Sequence, residues 1–316
     1  MERINLKAIA EALKSHGRIL VVCHKNPDGD AIGSAWGLAH ALRALGKKAR
    51  AFCGGEVPPE FSFLTNGEDG GDFEPDFVVT ADVASPSLLP DGIDPEAIGA
   101  VIDHHRSNSL SAPLKEVDPE AAACGEIILD LMRLLEVKID PYLAGALYTA
   151  IAADTGCFRY SNVTEKTFAA AGCLLKYAEK GAFYRINKRV FDTKSKKRLE
   201  LDAWAVEHVR LYAGGKLAYL EADLAMQEKF ETGAGDLDGL VNVIRQIEGV
   251  VVSIVLKQKE EGLFKASVRS EEGFDASEFC AAFGGGGHRA AAGASFTAPI
   301  ESVRETLIRE AERRLS

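Results

Sequence analysis

The chain has 316 residues, of which 47% are hydrophobic and 27% are charged, and its formal net charge is −10. This composition is that of a globular protein with room for two domains, and the acidic balance disfavours long duplex DNA as the main partner, because such binding relies on basic side chains. The sequence has no apolar run long enough for a membrane span and no signal-peptide core, so we expect a cytoplasmic protein without membrane contact.

Apolar runs that are typical of buried strands alternate with helical segments along the first half of the chain. Helices are predicted over residues 4–16, 31–45, 122–136, 141–153 and 164–180, and strands over residues 18–24, 48–53, 76–81 and 99–103. We expect Asp30 to cap the second helix, and Gly33 and Gly37 to let that helix approach the sheet closely. The alternation predicts an α/β domain with a mainly parallel sheet flanked by helices.

The segment from residue 184 to residue 204 differs in composition from what precedes it. Seven basic side chains lie between residues 184 and 200, against only Asp192 and Glu200. We interpret the segment as a basic linker that continues into a helix. Two roles stay open for it, a solvated connector or a wall of the cleft that attracts an anionic substrate. The predicted domains are therefore residues 1–183, the linker 184–204 and residues 205–316.

The second domain has the pattern of a smaller α/β unit. Strands are predicted at Lys216–Glu221, Val250–Lys257 and Leu263–Ser270, with helices at Leu237–Ile247 and over residues 300–315. Gly262 lies where the last two strands would turn as a hairpin.

Four apolar segments of the first domain end in acidic residues, and two of these endings also contain histidine. In chain order the residues are His24, Asp28, Asp30, Asp82, Asp103, His104, His105 and Asp154. Turn chemistry explains one such ending, but four are hard to assign to turns alone. Because open α/β sheets place their active sites at the carboxyl ends of the strands, we expect these side chains to form a metal site there. Carboxylates favour manganese or magnesium, and imidazole favours manganese.

The six cysteines do not add to this site. They are scattered along the chain without a C-x-x-C pair. Such spacing indicates small buried side chains and gives no disulfide framework or zinc cluster.

A run of glycines in the second domain is the other strong signal. Gly284, Gly285, Gly286 and Gly287 are followed by His288 and Arg289. Consecutive glycines are entropically costly, so we expect backbone N–H groups that form an anion-binding nest, with side-chain donors from His288, Arg289 and Arg269. The alternative is a flexible hinge. The spacing matches neither a P-loop nor a dinucleotide-binding fingerprint.

The chain resembles the DHH-family phosphoesterases in the order of its motifs. These motifs are His24-x-x-Pro27-Asp28-x-Asp30, the other strand-end residues and the glycine run. More narrowly, the chain resembles the NrnA-like group of nanoRNases and pAp phosphatases, where pAp is adenosine 3′,5′-bisphosphate. The resemblance covers nearly the whole chain. It implies an N-terminal DHH catalytic domain and a smaller DHH-associated C-terminal domain that binds substrate.

The resemblance also implies two divalent metal ions, usually Mn²⁺, with Mg²⁺ or Co²⁺ as alternatives. Carried over to the matching positions of this chain, the resemblance implies that His24, Asp28 and Asp82 would hold one ion, and Asp30, Asp82, His104 and Asp154 the other. A hydroxide that bridges the two ions would attack phosphorus. His105 would touch the phosphate or protonate the leaving oxygen, and Asp103 would orient a metal-binding histidine.

The leading hypothesis is therefore a manganese-dependent phosphoesterase that degrades oligonucleotides of about two to five nucleotides in a small cleft and dephosphorylates pAp. Linear dinucleotides derived from cyclic dinucleotides would fit the same site. The alternatives are a RecJ-like single-strand exonuclease, an inorganic pyrophosphatase or exopolyphosphatase, and a nucleotide sensor without catalysis. A homodimer is the default expectation for the assembly.

Overall fold

The apolar runs of the first half of the chain lie side by side as a five-stranded parallel sheet in a computed structural model, which describes residues 4–67, 70–233 and 235–316. The strands are β1 (Arg18–Val22), β2 (Lys48–Phe52), β3 (Phe77–Ala81), β4 (Ile98–Asp103) and β5 (Leu114–Val117). Their order is β2-β1-β3-β4-β5, and all neighbours are parallel. The predicted parallel α/β architecture is confirmed. The edge strand β5 was not predicted, because Lys115 and Glu116 interrupt its apolar pattern.

Side chains of this sheet point alternately into two hydrophobic clusters. Ile19, Val21 and Cys23 pack with the helices in a large cluster, while Leu20 and Val22 pack with loop residues in a smaller one. The helices that precede residue 193 are α1 (Ile4–Ser15), α2 (Gly29–Ala44), α3 (Ser62–Thr65), α4 (Cys124–Leu134), α5 (Pro141–Asp154), α6 (Glu165–Leu175) and α7 (Ala182–Asn187). Among the described residues, no helix is both long and apolar enough to cross a membrane.

Helix α2 differs from the prediction at both its cap and its packing face. It begins at Gly29, and its N-cap is Asp28, whose Oδ1 accepts hydrogen bonds from Asp30 N and Ala31 N at 3.0 Å. Asp30, which we expected to be the cap, is therefore inside the first turn. Gly33 faces α5 and not the sheet, since a Cβ there would meet Ala150 at 2.9 Å. The missing side chain thus permits a close approach between two helices.

The chain divides into two compact units, the first ending at Thr193 and the second beginning at Lys194. The predicted linker is helical on both sides of this point, with α7, a π-helical turn at Lys188–Asp192 and α8 (Lys196–His208). Within the second unit, Arg198 donates to Asp202 at 2.8 Å, and Lys197 Nζ donates to Glu231 O at 2.6 Å. These basic side chains are therefore engaged by groups of their own unit.

A mixed six-stranded sheet forms the second unit. The strands are β6 (Arg210–Tyr212), β7 (Leu217–Ala222), β8 (Val252–Glu260), β9 (Leu263–Ser270), β10 (Gly286–His288) and β11 (Ala291–Thr297), in the order β10-β11-β9-β8-β7-β6. The remaining helices are α9 (Leu224–Lys229), α10 (Leu240–Ile244), α11 (Ala276–Ala281) and α12 (Ile300–Leu315). Strands β10 and β11 were not predicted, because glycine and alanine weaken the strand signal. The predicted smaller α/β domain is confirmed.

Candidate metal centre

The acidic and histidine residues predicted from the strand ends lie together at the carboxyl edge of the first sheet. His24 follows β1, Asp82 follows β3, and His104 follows β4. The amino end of α2 contributes Asp28 and Asp30, and the last residue of α5 is Asp154. Six side chains from three strands and two helices therefore meet in one place, as parallel strand topology predicts.

These side chains include two groups that could each hold a metal ion. The first group is His24, Asp28 and Asp82, and the second is Asp30, His104 and Asp154. Within each group, one potential ligand atom from every residue lies within 4.8 Å of those of the other two. Asp82 lies between the groups, because its Oδ2 is 3.8 Å from His24 Nε2 and its Oδ1 is 3.6 Å from His104 Nε2. In the second group, His104 Nε2 is 3.2 Å from Asp154 Oδ2 and 3.7 Å from Asp30 Oδ2.

Asp82 has features that fit a metal ligand and have little structural explanation otherwise. Its side chain is only 2% exposed, and within the described residues its Oδ1 has no hydrogen-bond partner. Its backbone has φ of 61°, a left-handed conformation that is unfavourable for a residue with a Cβ. A buried carboxylate oxygen without a donor is costly unless a cation binds it. The residue therefore fits the bridging position between two ions.

His104 is oriented so that one ring nitrogen is available as a ligand. Its Nδ1 lies 3.2 Å from the carbonyl oxygen of Ala121. Because a carbonyl can only accept, the neutral ring carries its proton on Nδ1 and its lone pair on Nε2. The Nε2 atom is buried and has no hydrogen-bond partner in the described part of the chain.

Asp30 is held by the amino end of α4. It is fully buried, its Oδ2 accepts from Cys124 N at 2.6 Å, and its Oδ1 accepts from Gly125 N at 3.0 Å and from Ser34 Oγ at 2.9 Å. Neither Ser34 nor the amino end of the predicted helix 122–136 was assigned to the site from the sequence, since both act through tertiary contact. These donors fix the carboxylate before any ligand binds.

The electrostatics of the cluster call for positive charge. The pKa of Asp30 is raised to about 7, mainly by burial and next by the Asp154 carboxylate. Burial, together with the Asp30 and Asp28 carboxylates, raises the pKa of Asp82 well above its usual value. Although burial opposes protonation of His104, Asp154 and Asp30 raise its pKa to about 9. A divalent cation would relieve this repulsion among carboxylates, so the residues present fit a metal centre.

Asp103 was expected to orient a metal-binding histidine, but its ring partner is His105. Asp103 is fully buried, and its Oδ1 accepts from His105 Nδ1 at 2.8 Å and from His104 N at 2.8 Å. The carboxylate raises the pKa of His105, and its own pKa is lowered by His105 despite burial. Asp103 thus orients the histidine that is proposed to face the phosphate.

The glycine run in the second unit does not form an open nest along its whole length. Gly284 N donates to Ala281 O at 3.0 Å, and Gly285 N donates to Cys280 O at 2.9 Å. With φ of 73° at Gly284, these bonds form a Schellman cap on α11. The first two glycines therefore end a helix, while Gly286 and Gly287 pair with β11.

The register of the second sheet places two of the three predicted substrate-binding side chains on one face, with β11 between them. His288 pairs with Ala291, and Ala291 pairs with Arg269, so His288 and Arg269 share one face of the sheet. Arg289 has its Nε 4.0 Å from Asp275 Oδ2, beside α11.

Two family models match the chain in this order: the DHH family N-terminal domain over residues 18–151 and the DHHA1 domain over residues 214–316. The bifunctional oligoribonuclease and PAP phosphatase NrnA of Thermus thermophilus is 36% identical over 322 residues, 96% of this chain and 95% of the relative. The chain belongs to the DHH family. This DHH protein is accordingly a hydrolase, as its motifs predicted.

A second curated relative and a solved structure also match over nearly the whole chain. The protein of the same name from Bacillus subtilis is 28% identical to this DHH protein, over 96% of this chain and 99% of the relative. The crystal structure of an exopolyphosphatase-related protein from Bacteroides fragilis superposes with a TM-score of 0.89 at 24% identity, and it covers 100% of this chain and 99% of that one. At that identity the last comparison establishes the fold alone.

Proposed function

We propose that this DHH protein is a divalent-metal-dependent phosphoesterase that degrades short oligonucleotides to mononucleotides and removes phosphate from pAp. The observation that carries the proposal is the convergence of six potential ligands in two groups around Asp82. The 36% identity to an oligoribonuclease and PAP phosphatase over 96% of the chain supports the substrate class.

In this proposal, one ion is held by His24, Asp28 and Asp82, and the other by Asp30, Asp82, His104 and Asp154. When bound, such ions lower the pKa of a water molecule and offset the negative charge of the phosphate. We propose Mn²⁺, because the ligands combine carboxylates with imidazole. The proposed sharing of Asp82 is supported by its two oxygens, which lie 3.8 Å and 3.6 Å from the two histidine Nε2 atoms.

The proposed roles of the remaining residues follow from their contacts. Because Asp103 accepts a hydrogen bond from His105 Nδ1, the other ring nitrogen, Nε2, is the one that can contact a phosphate or give a proton to the leaving oxygen. The raised pKa of His105 favours the protonated ring that this role requires. For Arg269, His288, Arg289 and the glycine run we propose substrate binding, in which the N–H groups of Gly284 and Gly285 take no part because they cap α11.

A comparison of three substrates tests the proposal. Mn²⁺-dependent hydrolysis of an RNA trimer, a long single-stranded RNA and pAp is measured side by side, with EDTA as the control. Fast turnover of the trimer and of pAp with slow turnover of the long RNA supports the proposal. Equal turnover of the long RNA would favour a RecJ-like exonuclease. Hydrolysis of pyrophosphate alone would favour a pyrophosphatase, and nucleotide binding without turnover would favour a sensor.

A further inference from the structure

One side-chain amide connects the two loops that follow β3 and β4. Asn108 Nδ2 donates to Asp103 Oδ2 at 2.5 Å and to the carbonyl oxygen of Val83 at 2.9 Å. Asn108 Oδ1 accepts from Leu110 N at 3.1 Å. Both donors and the acceptor of the amide are thus used, and the opposite orientation would place its oxygen against two other acceptors.

Each end of this connection belongs to the site described above. Asp103 Oδ1 accepts from His105 Nδ1, so Asn108 holds the second oxygen of the carboxylate that orients His105. Val83 directly follows Asp82, whose backbone has the unfavourable φ of 61°. A strained conformation persists only where surrounding contacts over-determine it, and the hydrogen bond to Val83 O is one such contact.

A neighbouring contact reinforces the connection between the loops. Ser109 N donates to Ala84 O at 2.8 Å, one residue further along each loop. That contact is made by backbone atoms and survives substitution of a side chain. The hydrogen bonds of the Asn108 amide do not, so the contribution of this residue can be measured separately.

We propose that Asn108 is a positioning residue of the phosphoesterase site, which fixes Asp103, and through it His105, relative to the Asp82 turn. Asp103 is fully buried, so removal of the amide leaves Oδ2 without a donor among the described residues. An unsatisfied buried carboxylate oxygen rotates towards another donor or admits water. Either change releases the ring of His105 and loosens the turn that carries Asp82. The inference rests on the proposed function, because it assigns roles within that site.

The test compares Asn108→Ala with a matched control elsewhere in the first unit. Asn187 is the last residue of α7 and lies outside the residues assigned to the site. Its Oδ1 accepts a hydrogen bond from the buried Tyr148 hydroxyl at 2.9 Å. Asn187→Ala therefore removes a part-buried amide contact without touching the proposed machinery. Asn108→Ser, which keeps one donor on a shorter side chain, is measured in parallel, so that the test does not depend on one variant that fails to fold.

Three measurements are made on each variant. Hydrolysis of an RNA trimer gives kcat and KM, electron paramagnetic resonance gives the Kd for Mn²⁺, and thermal unfolding gives the midpoint of the metal-free protein. We expect Asn108→Ala to lower kcat and to weaken Mn²⁺ binding, each within the roughly 10–100-fold range seen for partners of metal ligands, with little change in KM. Asn108→Ser should lie between Asn108→Ala and the parent, and Asn187→Ala should lose stability alone.

An Asn108→Ala variant that folds and keeps either the parent kcat or the parent Kd for Mn²⁺ would overturn the inference. If Asn108→Ala does not fold, the same criterion applies to Asn108→Ser. If the parent protein hydrolyses none of the substrates, the proposed function fails, and the comparison of Mn²⁺ affinities alone then decides whether Asn108 orders the site.

Discussion

The close approach of α2 and α5 gives the sharpest prediction of how packing controls the metal centre. A Cβ added at Gly33 would lie 2.9 Å from Ala150 Cβ and 2.9 Å from Ala150 N, and nearer still to the carbonyl oxygen of Ala146. Carbon atoms pack at about 3.5–4.0 Å, so Gly33→Ala must separate the two helices by about 0.5–1 Å. Two of the crowded atoms belong to backbone, which cannot move aside as a side chain would.

The cost of this separation can be worked out from its parts. Overpacking a well-packed core costs about 1–3 kcal/mol, and backbone atoms as the obstacle place this site at the upper end. Alanine in a helix is favoured over glycine by about 1 kcal/mol, which offsets part of the cost. A net loss of about 2 kcal/mol should lower the thermal midpoint of a unit of this size by about 4–8 °C.

The same displacement should reduce activity. Helix α2 positions Asp28 and Asp30, and α5 ends at Asp154, so separating the helices pulls the proposed ligands apart. A shift of about 0.5–1 Å exceeds the roughly 0.2 Å tolerance of metal–ligand distances. We therefore expect Gly33→Ala to weaken Mn²⁺ binding and to lower kcat on an RNA trimer by at least about tenfold.

Two other helical glycines serve as controls, measured by thermal unfolding, Mn²⁺ titration and trimer hydrolysis. A Cβ at Gly172 meets no atom of the described residues within 4 Å, so Gly172→Ala should stabilise the protein by up to about 1 kcal/mol and leave activity unchanged. The three atoms nearest to a Cβ at Gly37 belong to side chains and lie at 3.4–3.5 Å, so Gly37→Ala should be nearly neutral. If Gly33→Ala is as stable and as active as Gly172→Ala, the packing argument is wrong.

Three further predictions follow from the contacts of the site. Folding raises the pKa of Asp30 to about 7 and that of His104 to about 9. The metal-free protein should therefore lose stability as pH rises through these values. The gain in thermal midpoint on adding Mn²⁺ should be larger at pH 8 than at pH 6. Asp103→Asn should lower kcat by about 10–100-fold. A pH–rate profile should show the largest loss of kcat at the pH values at which turnover requires a protonated His105. Arg269→Ala should raise KM for the trimer without changing Mn²⁺ affinity in a binding titration.

The clustering of the proposed ligand residues could be predicted from the sequence because their positions follow from local pattern. An apolar run that ends in His24, Asp82 or His104 predicts both the strand and the sheet edge at which its last side chain lies. The α/β class followed from the same alternation of segments. Each of these inferences needs only the residues of one segment and the rule that parallel strands share an edge.

The remaining features depend on which segments meet, and a single sequence does not contain that information. Gly33 was correctly recognised as a close-packing residue, but its partner is α5 and not the sheet. No sequence pattern indicates the partners of Asn108, since Asp103 and Val83 become adjacent to it through the sheet. The N–H groups of Gly284 and Gly285 were expected to face an anion, but they cap α11, a helix whose short sequence signal is weak.

The proposed function requires that two divalent ions bind around Asp82 and that turnover depends on both. The most direct measurement is a Mn²⁺ titration of EDTA-treated protein, with bound Mn²⁺ counted by electron paramagnetic resonance and RNA trimer hydrolysis followed in the same samples. We expect two bound ions per chain, activity that appears with the second ion, and loss of both properties in Asp82→Ala. Full activity without bound metal, or in Asp82→Ala, would contradict it.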